Sequence, residues 1–241
     1  MHSSAMRYAI YFTPAVVSAL WRLGSSILGY DAAAREIVDF PNRSLWREPW
    51  FTRALETPAR YGFHATLKAP FTLAPSVTAA VLLERAEAFS ARHAPVYLPT
   101  LEVALLGDFV ALRPLAEDAE LNRLAAACVQ DFDDLRAPID ATDRERRLSQ
   151  GLTPRQRAQL DHWGYPYVLQ DFRFHMTLTG SITPSKRAEA LAAMKALYRG
   201  YSAPVAVDAI SVLSQSTREG RFGLIARFPL RAAVPAINFG R

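Results

Sequence analysis

Two five-residue strings constrain this chain more than any other feature. Phe63-His64-Ala65-Thr66-Leu67 and Phe174-His175-Met176-Thr177-Leu178 agree at every position but the third and lie about 110 residues apart. At ordinary composition a His is followed by x-Thr-Leu roughly once in 200 cases, so coincidence explains two such strings on the order of once in several thousand chains. The strings read as strands, whose side chains alternate faces. Phe63, Ala65 and Leu67 then share one face, with His64, Thr66 and Lys68 on the other. In the second copy Phe172, Phe174, Met176 and Leu178 form the apolar face, with Arg173, His175, Thr177 and Thr179 opposite. Each strand buries one side and presents a His, a Thr and a nearby cation in a row.

The surrounding pattern repeats as well. Arg7–Phe12 reads as a strand. Thr13-Pro14 starts a helix ending near Gly29, and Asp31 caps a second helical stretch to about Phe40. Residues 41–60, with Pro41, Pro49 and Pro58, read as an irregular connection. Tyr61–Leu67 is a strand, Ser76–Arg92 a helix, and Val96–Leu106 with Phe109–Arg113 a hairpin around Gly107-Asp108. Glu117 to about Phe132 is helical, and the polar segment from Ala137 to Gln150 gives no clear pattern. Thr153-Pro154 starts a helix that Gly164 stops. Phe172–Thr179 is a strand, Pro184–Tyr198 a helix, and Val205–Ser214 with Phe222–Leu230 a hairpin. In both halves a His-x-Thr-Leu strand leads to a helix and then to hairpin strands about 30 and 45 residues after the His. This order predicts an α+β fold of two similar lobes, approximately 61–132 and 167–230, within one unit over 1–241. The strand Arg7–Phe12 is expected to join the sheet.

Composition removes several alternatives. Half of the 241 residues are hydrophobic, 21% are charged and the formal net charge is +5, which excludes disorder as the dominant state. A single cysteine, Cys128, excludes a disulfide scaffold and reads as a buried inert thiol. The uncharged stretch Tyr8–Trp21 contains Pro14, is too short to span a bilayer and alternates like a strand, so a cytoplasmic protein without membrane contact is expected. Of 28 basic residues only Lys68, Lys186 and Lys195 are Lys, and no run of five like charges occurs. The basicity suits an anionic partner, but not a continuous nucleic-acid-binding stripe.

Two imidazoles and two hydroxyls around one cleft suit phosphodiester cleavage. In-line displacement at phosphorus needs a base for the attacking oxygen and an acid for the leaving oxygen, and His serves as either near neutral pH. Thr hydroxyls can donate to non-bridging oxygens while a cation offsets their charge. Such a scheme requires no metal and no cofactor, and neither string has metal-ligand spacing. His2 at the chain terminus, and His93 and His162 at helix ends, carry no comparable pattern.

Three strings resemble the 2H phosphoesterase superfamily, and within it the branch called phosphonate metabolism proteins, encoded beside carbon–phosphorus lyase genes. They are Arg60-Tyr61-Gly62-Phe63-His64-Ala65-Thr66-Leu67-Lys68, Trp163-Gly164-Tyr165-Pro166-Tyr167-Val168 and Phe172-Arg173-Phe174-His175-Met176-Thr177-Leu178-Thr179-Gly180. The resemblance runs from about Arg7 to Leu230. It implies two lobes related by a pseudo-two-fold axis around a central cleft. It also implies His64 and His175 as the acid–base pair, with Thr66 and Thr177 holding phosphate. For this branch it points to a small cyclic phosphodiester, such as a phosphoribosyl cyclic phosphate or a 2′,3′-cyclic nucleotide. A phosphometabolite- or RNA-end-binding module using the same cleft is the alternative.

Several supporting positions follow from the pattern. Lys68 is expected to face phosphate beside Thr66. Tyr11, opposite in facing to Tyr8, Ile10 and Phe12, is expected to stack on or hydrogen-bond the substrate. Arg173 lies two residues before His175 and can assist it or pair with Asp171. Tyr165 and Tyr167 border the cleft, Tyr167 as a stacking platform. Arg136, Arg144 and Arg147 can form a lid or a second phosphate site. Gln215 is a further candidate.

Overall fold

The computed structural model describes residues 6–201 and 203–233, so His2 lies outside the described residues. In chain order the elements are β1 (Arg7–Phe12), α1 (Ala19–Leu28), β2 (Tyr30–Asp31), β3 (Glu36–Ile37), α2 (Pro49–Tyr61), β4 (Ala65–Thr72), α3 (Ala79–Arg92), β5 (Val96–Leu98), β6 (Leu101–Leu106), β7 (Phe109–Pro114) and α4 (Ala119–Asp131). They continue with α5 (Ala141–Leu148), α6 (Pro154–Trp163), β8 (Met176–Thr177), α7 (Arg187–Tyr198), β9 (Val205–Val207), β10 (Ala209–Gln215) and β11 (Gly223–Pro229). The α+β class expected from the pattern is the one observed.

Seven strands form one antiparallel sheet in the order β11-β10-β1-β4-β8-β7-β6. The two motif strands, β4 and β8, are neighbours at its centre through Ala65 and Met176. Their mutual pairing leaves each one outer edge. β1 takes that of β4, and β7, from the hairpin that follows the first motif, takes that of β8. The hairpin after the second motif, β10–β11, extends the sheet beyond β1. Each hairpin therefore lies beside the half of the chain to which it does not belong in sequence. A small ladder of β5 and β9 ties the two hairpins together.

The apolar faces of the motifs drive this arrangement. Phe63, Ala65, Leu67, Phe174, Met176 and Leu178 are all buried, in one cluster with Ile10, Phe12 and Val212. Full burial of such a side chain contributes roughly 1.5–3 kcal/mol. α3 packs on β10 and β11, α4 on β4, and α7 on β6 and β7. Cys128, within α4, is fully buried, and desolvation pushes its thiol far above the ordinary range.

Several helices start where their caps dictate. Thr78, Asp118 and Asp140 accept from the backbone N–H three residues on, opening α3, α4 and α5. A capping box of Thr153 and Gln156 opens α6, and Gly164 ends it at φ 72°. Three expectations need correction. α1 begins at its cap Ser18, not at Thr13, because the Thr13 hydroxyl is held 2.7 Å from that of Ser211. Asp31 caps no helix: its Oδ1 accepts from Ala33 and Ala34 N–H at 2.8 and 3.0 Å, closing the turn between β2 and β3.

The third correction is α2, where the prolines read as breakers. Pro49 sits at the first helical turn, where its missing N–H costs nothing. Pro58 falls inside the helix, so the Ala54 carbonyl loses its intrahelical donor. Gly180 N–H takes that donor's place at 2.8 Å. A Cβ on Gly180 would lie 2.7 Å from that carbonyl oxygen, so only glycine permits the approach. α2 then runs to Tyr61 and turns through Gly62, at φ 71°, directly into the first motif. This displaces β4 to start at Ala65. β8 is confined to Met176–Thr177, and just past it Leu178 and Thr179 N–H still donate to the Val110 carbonyl of β7 at 2.9 and 3.1 Å.

Candidate active site

The register of the two motif strands builds the site. Antiparallel pairing of Ala65 with Met176, continued one residue each way, sets His64 opposite Thr177 and Thr66 opposite His175. Directly opposed side chains of this kind have Cβ atoms about 4.5–5.5 Å apart. The apolar pair Ala65 and Met176 is buried beneath, and all four polar side chains are half-buried on the other face.

Both imidazoles are oriented in the same way. His64 Nδ1 lies 2.9 Å from the Gly62 carbonyl, and His175 Nδ1 lies 2.8 Å from the Arg173 carbonyl. A carbonyl only accepts, so each Nδ1 carries a proton, and Nε2 is the nitrogen that gains or loses one as the ring titrates. The Thr66 hydroxyl stands 3.2 Å from His64 Nε2 and can donate to it. Burial lowers the His64 pKa to about 4; the Gly62 hydrogen bond opposes this and nearby His175 adds to it. Burial also lowers the pKa of His175, opposed by the Arg173 carbonyl.

Aromatic side chains wall the pair. Tyr11, beside Thr66 in the sheet, stacks on His64 with centroids 3.7 Å apart and planes at 19°. Its facing is as expected, but it is 1% exposed and covers the imidazole rather than an open substrate surface. Burial, then nearby Tyr61, raises its pKa well above the usual value. Phe109, which sequence reasoning missed, stands 5.6 Å from the His175 ring. It separates two hollows of the cleft, one of about 330 Å³ with Thr66, Tyr167 and His175, the other of about 230 Å³ with Tyr61, His64 and Thr177. Its signal was its place at the start of a hairpin strand. Tyr61, also missed, stacks on Phe222 beside His64.

The supporting residues divide. Tyr167 is exposed on the wall of the larger hollow, its ring 5.6 Å from Tyr165. Arg173 reaches the rim of that hollow, where it meets Glu117 at 3.4 Å, while Asp171 is held by Arg155. Lys68 does not continue the row of His64 and Thr66. Register shifts in β4 pair Lys68 with Ile10, one residue along from the Tyr11–Thr66 pair, and so turn it to the other side. There it is buried, donating to the Val129 carbonyl at 2.9 Å and to Asp133 at 3.1 Å. Thr179, at the wall of the smaller hollow, is fully buried: its hydroxyl accepts from Val110 N–H at 2.9 Å and donates to the Gly180 carbonyl at 3.0 Å. Gln215 is buried and its Oε1 accepts from Arg7 Nε at 3.0 Å. Arg144 is paired with Asp161 at 2.8 Å, away from both hollows. Among the described residues no group of three or more His, Cys, Asp or Glu is placed to hold a metal ion, and no helix is long and apolar enough to cross a membrane.

Two adjacent central strands of one α+β sheet thus each carry a His-x-Thr string. The chain belongs to the family described as protein of unknown function DUF1045, whose profile matches residues 66–223. It is similar to a ribose 1,5-bisphosphate phosphokinase PhnN of Janthinobacterium sp. (strain Marseille), at 36% identity over 242 residues, covering 96% of this chain and 53% of the relative. A protein of the same name from Laribacter hongkongensis (strain HLHK9) is 38% identical over 177 residues, covering 73% and 40%. The chain thus spans about half the length or less of these curated relatives. Among solved structures, E. coli LigT complexed with 3′-AMP aligns over 95% of this chain and 99% of its own, at 15% identity and a TM-score of 0.45. TT0787 of Thermus thermophilus aligns over 93% and 98%, at 16% identity and a TM-score of 0.43.

Proposed function

We propose that the cleft opens a small cyclic phosphodiester by two-histidine acid–base catalysis, as one step of phosphonate metabolism. The observation that carries this reading is the pairing of the two motif strands at Ala65 and Met176, with Thr66 and His175 lining one hollow and His64 and Thr177 the other. His64 acts as the base: its neutral Nε2 takes a proton from water as the water oxygen attacks phosphorus. His175, entering as imidazolium, gives its Nε2 proton to the ester oxygen as the P–O bond breaks. One water is consumed and a phosphomonoester with a free hydroxyl leaves. Thr66 and Thr177 donate to the non-bridging oxygens, whose charge grows in the transition state. The stack on Tyr11 favours a neutral ring at His64, since it withholds water from the charged form.

The relatives are named for a kinase of ribose 1,5-bisphosphate, which supports a phosphoribosyl cyclic phosphate over a 2′,3′-cyclic nucleotide as the substrate class. This sequence contains no Gly-x-x-x-x-Gly-Lys-Ser/Thr string to cradle a nucleotide, so the kinase activity itself is not carried over. The test is incubation with a panel of cyclic phosphates with and without EDTA, followed by phosphorus NMR. Product formation that persists in EDTA is expected. Binding of panel members with no turnover of any of them would overturn the reading in favour of a binding module.

The histidine environments also set a pH dependence. The base must be neutral, which His64 is above a pH of about 4. The acid must be protonated, which requires a pH below the lowered value of His175, and hence below 6.5. The kcat/KM profile, which reports the free enzyme, is therefore expected to be a bell peaking between those limits and falling towards pH 8. A flat profile from pH 5 to 8 would contradict the assignment.

A further inference from the structure

Beyond the His pair, on the far side of Tyr165, lies a third hollow of about 280 Å³. Five cations line it, Arg7, Lys68, Arg136, Arg147 and Arg218, against two carboxylates, Asp140 and Asp143. Three of the cations are already matched. Lys68 and Arg136 both hold Asp133, at 3.1 and 2.7 Å. Arg218 grips Asp143 with both terminal nitrogens, at 2.5 and 2.6 Å, and reaches Asp140 at 3.5 Å.

Arg7 and Arg147 have no such match. Arg7 is anchored by the neutral amide of Gln215 and lies 5.6 Å from the Phe222 ring centre. Arg147 rests over the Tyr165 ring at 4.7 Å, and its Nε is buried with no hydrogen-bond partner among the described residues. Neither forms an ion pair within 4.0 Å among the described residues. Leaving a half-buried guanidinium unpaired is costly, and the residue type is the one best shaped to grip a phosphate with two parallel hydrogen bonds. Burial weighs against the charge of Arg147 more than its neighbours support it, a deficit that a bound anion would offset.

The hollow adjoins the reaction centre. Tyr165 and Val168 line both it and the hollow that holds Thr66 and His175. Arg7 lies on β1 four residues before Tyr11 and on the same face. Four strand residues span about 13 Å, which the reach of an arginine side chain shortens to the length of one sugar.

We propose that Arg7 and Arg147 form a second anion subsite, so that the substrate is a cyclic phosphodiester that also carries a terminal phosphomonoester. This rests on the phosphodiesterase reading above. Gln215 fixes the guanidinium of Arg7, and Tyr165 supports that of Arg147 while bordering the sugar between the two phosphates.

The test compares adenosine 2′,3′-cyclic phosphate with the same compound bearing a 5′-phosphate. In the unaltered protein kcat/KM is expected to favour the second by at least about tenfold. In Arg147→Met and in Arg7→Met this ratio falls towards one, and in Arg147→Lys it stays intermediate. Equal rates on the two compounds in the unaltered protein, or a ratio unmoved by either Met variant, would overturn the subsite and leave the phosphodiesterase reading standing. Ribose 5-phosphate binding to His175→Ala, followed by calorimetry, separates the two ideas. Binding there that Arg147→Met abolishes supports the subsite even if no cyclic phosphate is turned over. Absence of binding, or binding that Arg147→Met leaves unchanged, counts against it. Thermal melts of each variant confirm that the fold is retained.

Discussion

His64→Ala and His175→Ala are each expected to lower kcat/KM for a cyclic phosphate by about 10²–10⁴, the usual contribution of one acid–base group. The fold should survive both changes. Each imidazole is half-buried on the polar face, and the apolar partners that hold the strands, Ala65 and Met176, are untouched. The double variant is expected to fall far short of the product of the two losses, because the two groups act in one step. His64→Ala also removes the ring on which Tyr11 is stacked, so it is the one that should show a small drop in Tm. Full activity in both single variants would remove the mechanism. Steady-state kinetics at the pH optimum, with melts alongside, decide it.

Phe63→Ala is expected to have the largest effect on stability. The ring is 1% exposed and lies on α1 where the helix has no side chain, since a Cβ on Gly24 would sit 2.1 Å from its atoms. Truncation leaves a cavity that α1 cannot fill, at about 3–5 kcal/mol. In a chain of this size that is roughly a 10 °C fall in Tm. Gly24→Ala alone is also expected to destabilise, because the new methyl overlaps the ring. Combined with Phe63→Ala, however, Gly24→Ala should be neutral or stabilising, as the cavity accepts the methyl and Ala suits a helix better than Gly. A double-mutant cycle by urea denaturation reads this coupling. Simple additivity of the two costs would show that ring and helix do not share the space.

What the sequence made legible was local. The period of two placed His64, Thr66, His175 and Thr177 on polar faces, and it placed Tyr11 on the side of Thr66. Thr153-Pro154 and Gly164 located α6 closely, and the spans read for α3 and α4 lie close to those observed. What stayed hidden depended on distant partners. The side of the sheet to which Lys68 points is set by register shifts against β1. α2 was hidden because a proline inside a helix is tolerable only when another segment serves the orphaned carbonyl, and that segment is about 120 residues away. Arg7 was visible by the same alternation that singled out Tyr11. That it has no acidic partner among the described residues could not be read without the structure.

The joint between Pro58 and Gly180 has a consequence for how such chains can be recombined. One helix, α2, delivers the first motif from its C-terminal end and holds the residue just past the second by the Ala54 carbonyl. A chimera joining the first half of one relative to the second half of another keeps both His-x-Thr strings. It keeps the joint only if the first parent lacks an N–H at position 58 and the second lacks a side chain at position 180. With a donor restored at 58, two N–H groups compete for one oxygen, and with a side chain at 180 the second motif is pushed off the helix. The two histidine motifs therefore travel as a matched set rather than as interchangeable modules, although each looks complete on its own.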